Sequence, residues 1–102
     1  MASEAARRDM RERLTLDWNE WVAARLRLEN ADQARAMSSE VFESYARQYT
    51  TGRKTWIDVL NAVRETTQAE LAAVDARTSM LAASLRLRAR SGTLGSTAEK
   101  VQ

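Results

Sequence analysis

Gly52 is the residue that most constrains the fold of this chain. It is the only glycine between Met1 and Ser91, and the sequence contains no proline. Long helical segments can therefore form on both sides of it, and glycine reaches positive φ without the steric penalty of a Cβ atom. Thr55 follows as a candidate N-cap, and Asp58 stands where the acidic partner of a capping box would be. The sequence predicts a helical hairpin with its turn at Gly52.

The predicted fold is all-α, a long antiparallel two-helix coiled-coil hairpin. We expect a first helix over residues 1–49, a tip turn over 50–54, a second helix over 55–91 and a flexible tail over 92–102. Gly92 is expected to end the second helix as a C′ glycine. On the first helix, an apolar stripe recurs at heptad-like spacing: Met10, Leu14, Trp18, Trp21, Leu28, Ala31, Val41 and Tyr45.

The second helix carries two different stripes. The large-residue stripe consists of Ile57, Leu60, Thr67, Leu71, Val74, Thr78, Leu81 and Leu85. The alanine stripe consists of Ala62, Ala69, Ala76 and Ala83, which recur every seven residues, with Ala73 beside them. A helix in an isolated hairpin needs one apolar stripe. Two stripes indicate neighbours on two sides, as in a stave of a tube, although an ordinary helical bundle in which alanine supplies helix propensity remains an alternative.

Composition excludes most chemistry. The chain has no cysteine and no histidine, which removes disulfides, the usual zinc ligands and the usual general base near neutral pH. No catalytic group, metal site or cofactor site is predicted, and we expect no enzyme. The net charge of +2 is too small to indicate a nucleic-acid partner. Seven arginines are expected to gather at the open end of the folded hairpin, opposite the turn: Arg7, Arg8, Arg11, Arg13, Arg86, Arg88 and Arg90. They are interpreted as a solvated surface, with a site for an anionic headgroup or nucleic acid as the lesser alternative.

The stretch from Tyr49 to Ala62 reads Tyr-x-x-Gly-x-x-Thr, then two apolar residues and Asp-Val-Leu-Asn-Ala. This pattern resembles the periplasmic tip of TolC-like outer-membrane efflux proteins. Asp17 to Glu20 resembles a tryptophan–asparagine patch on the descending helix of that family, and Leu87 to Leu94 resembles the segment that closes the ascending helix. The resemblance covers residues 5–94, nearly the whole chain.

The resemblance implies a function in transport. It implies one hairpin of the periplasmic tunnel of an outer-membrane channel for efflux or type I secretion, located in the periplasm. Such channels are homotrimers that bind a periplasmic adaptor protein, which couples them to an inner-membrane pump. Isolated, the hairpin is expected to self-associate through its exposed stripes. The alternative is a stand-alone soluble coiled-coil interaction module.

The resemblance also assigns roles at the tip. Asp58 matches an aspartate that faces the lumen at the tunnel entrance, and Asn61 replaces a second acidic residue there, which predicts a weaker charge gate. Tyr49 and Lys54 match positions that link neighbouring helices and hold the entrance shut. The adaptor is expected to dock at Gly52, Arg53 and Thr55. On the residues alone, simpler roles stay open: Asp58 as a cap, Tyr49 as a packing residue across the turn, and Arg53 and Lys54 as solvated loop residues.

Overall fold

The computed structural model describes the backbone of residues 2–101 and the side chains of residues 3–92. It contains two helices, α1 (Ala2–Thr50, 49 residues) and α2 (Trp56–Val101, 46 residues), joined by a short turn. The described backbone contains no strand. The predicted all-α helical hairpin is therefore confirmed. None of the described helical segments is both long enough and apolar enough to span a bilayer.

Gly92 does not have the role that the sequence predicts for it. α2 passes through this residue, and Gly52 is the glycine with positive φ in the described part of the chain. A glycine without a competing turn can remain helical, at a modest entropic cost, so its presence alone does not end a helix. The tail predicted beyond Gly92 lies outside the residues whose side chains are described.

The chain packs as two compact units. The tip unit, as we call it, contains residues 27–77 and therefore the turn with the adjoining parts of both helices. The terminal unit contains residues up to Leu26 together with the chain from Thr78 onward.

In the tip unit, small residues form the contact face of α2. Val59, Ala62 and Ala73 are buried, with 7%, 3% and 1% of their surface exposed. The half-buried positions between and after them alternate at spacings of three and four, as in a coiled-coil seam: Thr66, Ala69 and Ala76. The facing half-buried residues of α1 are Leu28, Ala31, Ser38, Phe42 and Tyr45.

A side-chain hydrogen bond connects the two helices within the tip unit. The Thr66 hydroxyl lies 3.2 Å from the carbonyl oxygen of Ser38 and 2.9 Å from that of Ala62 on its own helix. Its single proton is thus placed for donation to either carbonyl. Alanine and threonine on α2 allow this approach because their side chains are short.

In the terminal unit, small side chains again lie at the centre of the contact between the two helices. Ala24 and Ala83 are buried, and Leu14, Trp21 and Leu87 are half-buried around them. The Arg90 guanidinium forms an ion pair with the carboxylate of Asp17, which links α2 to α1. Trp18, which the sequence places in the apolar stripe of α1, is instead 53% exposed and lies against Trp21, with a ring separation of 5.2 Å.

Candidate functional site at the hairpin tip

The end of α1 forms a Schellman motif centred on Gly52. Gly52 has φ of +79°, and its N–H donates to the carbonyl of Tyr49 at 3.1 Å. The N–H of Arg53 donates to the carbonyl of Gln48 at 2.8 Å. These two bonds are the pair that defines the motif, and they satisfy carbonyls that the helix end leaves unpaired.

The start of α2 is a capping box. The N–H of Thr55 donates to Asp58 Oδ2 at 3.1 Å, while the N–H of Asp58 donates to Thr55 Oγ1 at 3.3 Å. The Thr55 hydroxyl lies 3.0 Å from the same carboxylate oxygen. Each residue's side chain thus accepts a hydrogen bond from the other's backbone N–H, which has no partner within the helix. The predicted Thr55–Asp58 capping box is confirmed by these hydrogen bonds.

The carboxylate of Asp58 is stabilised in its charged form. The hydrogen bond from the Thr55 backbone lowers the pKa of Asp58, and the bond from the Thr55 hydroxyl and the positive charge of Lys54 lower it further. Partial desolvation opposes these effects and is outweighed. The tip therefore keeps one fixed negative charge at the N-terminus of α2, where the helix dipole favours it.

Aromatic side chains flank the turn on both helices. The rings of Tyr49 and Trp56 lie 5.7 Å apart and pack across the turn in a tilted arrangement. The Lys54 Nζ lies 4.4 Å from the centre of the Tyr45 ring, which is a cation–π contact. Lys54 is half-buried, whereas Trp56 is 57% exposed. Three groups therefore lie close together at the tip: the Lys54 ammonium in contact with Tyr45, the exposed ring of Trp56 and the Asp58 carboxylate.

The structure brings together most of the residues that the sequence assigns to the tip. Tyr49, Gly52, Arg53, Lys54, Thr55 and Asp58 all lie in the turn or beside it. Asn61 lies one turn further along α2 and is exposed.

Sequence reasoning missed three contributors to the tip. Tyr45 was placed in the apolar stripe only, yet it carries the contact with Lys54. Gln48 supplies the carbonyl that accepts from Arg53, and it also accepts from the Lys54 N–H at 3.3 Å. Trp56 packs on Tyr49. The position of Gln48 could have been found by counting back from Gly52 in a Schellman motif, whereas nothing in the spacing links Tyr45 to Lys54.

In the described part of the chain, acidic side chains form no cluster of three or more that could hold a metal ion. The terminal unit contains a shallow cleft of about 410 Å³, lined by Leu14, Thr15, Trp18, Leu87 and Ser91. None of these five lining residues is acidic or basic.

Comparisons with known proteins do not place the chain in a family. No protein-family model matches it, and neither a curated protein nor a solved structure does. The likeness of the tip to TolC-like proteins therefore stays a prediction from the sequence.

Proposed function

We propose that the chain is one helical hairpin of the periplasmic tunnel of a TolC-like outer-membrane channel, acting in efflux or type I secretion. The observation that carries the proposal is that α2 has apolar residues on two opposite faces. Its small residues are buried against α1, while Leu71 and Val74 remain 61% and 54% exposed in the tip unit. A tunnel wall needs helices of this kind, because each contacts one neighbour within its hairpin and another beyond it.

The tip geometry supports the same proposal. The Schellman motif and the capping box fix the turn by local hydrogen bonds alone, so the loop needs no partner to hold its shape. A preorganised, exposed loop suits the role of a docking point for another protein. In the proposed channel, a homotrimer in the outer membrane presents these tips to a periplasmic adaptor, which in turn binds an inner-membrane pump.

The charges at the tip fit an entrance with a modest electrostatic gate. Asp58 supplies a carboxylate that stays ionised, whereas Asn61 supplies a neutral amide one turn away. We propose Asp58 as the lumen-facing ring residue and Lys54 with Tyr49 as part of the links between helices at the entrance. Within the chain itself, Lys54 contacts Tyr45. When the entrance opens, Lys54 would lose its link to a neighbouring helix and could keep this contact with Tyr45.

Cross-linking in the source cells tests docking at the tip. A photoreactive amino acid replaces Arg53, which is exposed in the turn, and the matched control carries it at Glu65, which is exposed on α2 away from the turn. We expect the Arg53 position to form an adduct with a periplasmic adaptor anchored at the inner membrane, and the Glu65 position to form none. An adduct with a cytosolic protein, or none with an adaptor, would contradict the proposal.

A stand-alone coiled-coil interaction module is the second candidate. The specific observation in its favour lies at the exposed centre of the large-residue stripe, where Thr67, Leu71, Val74 and Thr78 are spaced by four, three and four residues. This order of threonine and aliphatic residues is the same in both chain directions, so a second copy can face it. This candidate needs no membrane and no trimer.

A further inference from the structure

The tip unit leaves one face of α2 without a partner. In this part of the large-residue stripe, Ile57, Leu60, Leu71 and Val74 are 68%, 43%, 61% and 54% exposed. Leu71 and Val74 each lie two residues before a residue that faces α1, namely Ala73 and Ala76. Two residues correspond to a rotation of about 200° around a helix, so this face points away from α1. Exposed apolar surface arranged in such a row marks an interaction site.

Leu71 and Val74 occupy positions that are equivalent under a two-fold axis. Such an axis would pass between Ala72 and Ala73, which lie midway between Leu71 and Val74 in the sequence. When two α2 helices meet antiparallel about this axis, Leu71 packs against Val74 of the partner subunit, and the symmetry generates the same contact again. An isologous interface of this kind needs only one self-complementary patch.

The flanking charges select the antiparallel direction. Glu70 and Arg77 are exposed on the same side of the stripe, seven residues apart. In the antiparallel arrangement, Glu70 faces Arg77 of the partner subunit, and the symmetry gives two such ion pairs. On the other side, Gln68 faces Asp75 of the partner subunit, an amide that can donate to a carboxylate.

A parallel arrangement would place like charges together. In a parallel coiled coil, the residue before the first stripe position of a heptad faces, on the partner helix, the residue after the second stripe position of the same heptad. Glu70 would then face Asp75 of the partner subunit twice, and both side chains are negative. Charge complementarity therefore favours the antiparallel direction.

We propose that this 102-residue chain forms an antiparallel homodimer in which the part of the large-residue stripe centred on Leu71 and Val74 packs against the same part of a second copy. The inference goes beyond the proposed function and is independent of it. A tunnel would have all tips at one end, whereas this dimer points its two tips in opposite directions. Failure of the dimer would leave the tunnel proposal in place, because the tunnel covers the stripe with a different helix.

Charge-reversal variants test this interface, and sedimentation equilibrium measures the dissociation constant of each dimer. We expect the wild-type chain to be a dimer, and Glu70→Arg to raise its dissociation constant about tenfold, because two attractive pairs become repulsive. Arg77→Glu is expected to have the same effect. In an equimolar mixture of the two variants, the arginine introduced in one subunit meets the glutamate introduced in the other. We therefore expect the mixture to dimerise as the wild type does.

Glu65→Arg is the matched control, because it makes the same change of charge at an exposed position of α2 outside the interface. We expect its dissociation constant to equal that of the wild type. Neither Glu70 nor Glu65 has a charged residue three or four positions away on the helix, so the reversals leave local ion pairing unchanged. Recovery in the mixture shows that the single variants are folded.

Three results would overturn the inference. One is a wild-type chain that remains monomeric up to millimolar concentration. Another is a Glu70→Arg variant that dimerises more tightly, since the introduced arginine would then attract Asp75 in a parallel pair. The third is a dissociation constant for Glu70→Arg and Arg77→Glu that equals that of Glu65→Arg, which would mean that the dimer interface lies elsewhere.

Discussion

Hydrogen bonds between near neighbours determine the conformation of the tip residues. Gly52 alone accepts the positive φ that the Schellman motif requires, while Thr55 and Asp58 satisfy each other's amide groups. These features were predictable from sequence because each depends on residues within a few positions of one another. The contact of Lys54 with Tyr45 was not predictable, because it depends on how the turn directs the lysine side chain back along α1.

The lowered pKa of Asp58 predicts a pH dependence of stability. A carboxyl group with a lower pKa in the folded state stabilises the protein above its unfolded-state value of 3.8, and that contribution is lost as the pH falls through the folded-state value. We therefore expect Asp58→Asn to lower the melting temperature at neutral pH and to have a smaller effect in strong acid. Circular dichroism melts of both proteins from neutral pH to below about pH 3 measure this.

Glu65→Gln is the control for this titration, because Glu65 is an exposed carboxylate of α2 outside the capping box. At neutral pH it should lower the melting temperature less than Asp58→Asn does, because it removes no capping hydrogen bond. If Asp58→Asn and the wild type differ by the same amount at neutral and at acid pH, then ionised Asp58 does not support the start of α2.

Between the two helices, small side chains make the contact. The sequence correctly predicted two helices and two stripes on α2, because heptad spacing is visible in a single chain. It did not identify which stripe would face α1, since both stripes have the same period and differ only in phase. The structure shows Ala73 buried and Leu71 exposed, which is the reverse of the usual preference for large side chains in a core.

Two substitutions on α2 test which stripe faces α1. Enlarging the buried alanine should destabilise the fold more than truncating the exposed leucine. Ala73→Leu inserts a large side chain into a seam where the alanine is 1% exposed, and we expect it to lower the free energy of unfolding by about 1–3 kcal/mol. Leu71→Ala removes a side chain that is 61% exposed and should change this free energy by less than about 1 kcal/mol in dilute, monomeric protein. Urea unfolding followed by circular dichroism compares them. A larger loss for Leu71→Ala would mean that the large-residue stripe faces α1.

For the whole molecule, the account depends on where the hairpin works. We propose that the hairpin stands in the wall of an outer-membrane tunnel. The two apolar faces of α2 and the preorganised tip support this proposal, and its transport function comes from the resemblance to TolC-like proteins. The fold was predictable because it follows from local periodicity and one glycine. The proposed periplasmic location has a different basis, the resemblance of the tip sequence to TolC-like proteins, because helical periodicity carries no information on cellular location.

The most direct test is fractionation of the source cells, followed by a blot with an antibody raised against this segment. We expect a band several times larger than 11.5 kDa in the outer-membrane fraction, migrating as a trimer that dissociates on heating. A soluble band at the size of this chain would contradict the tunnel and would leave the coiled-coil interaction module as the function.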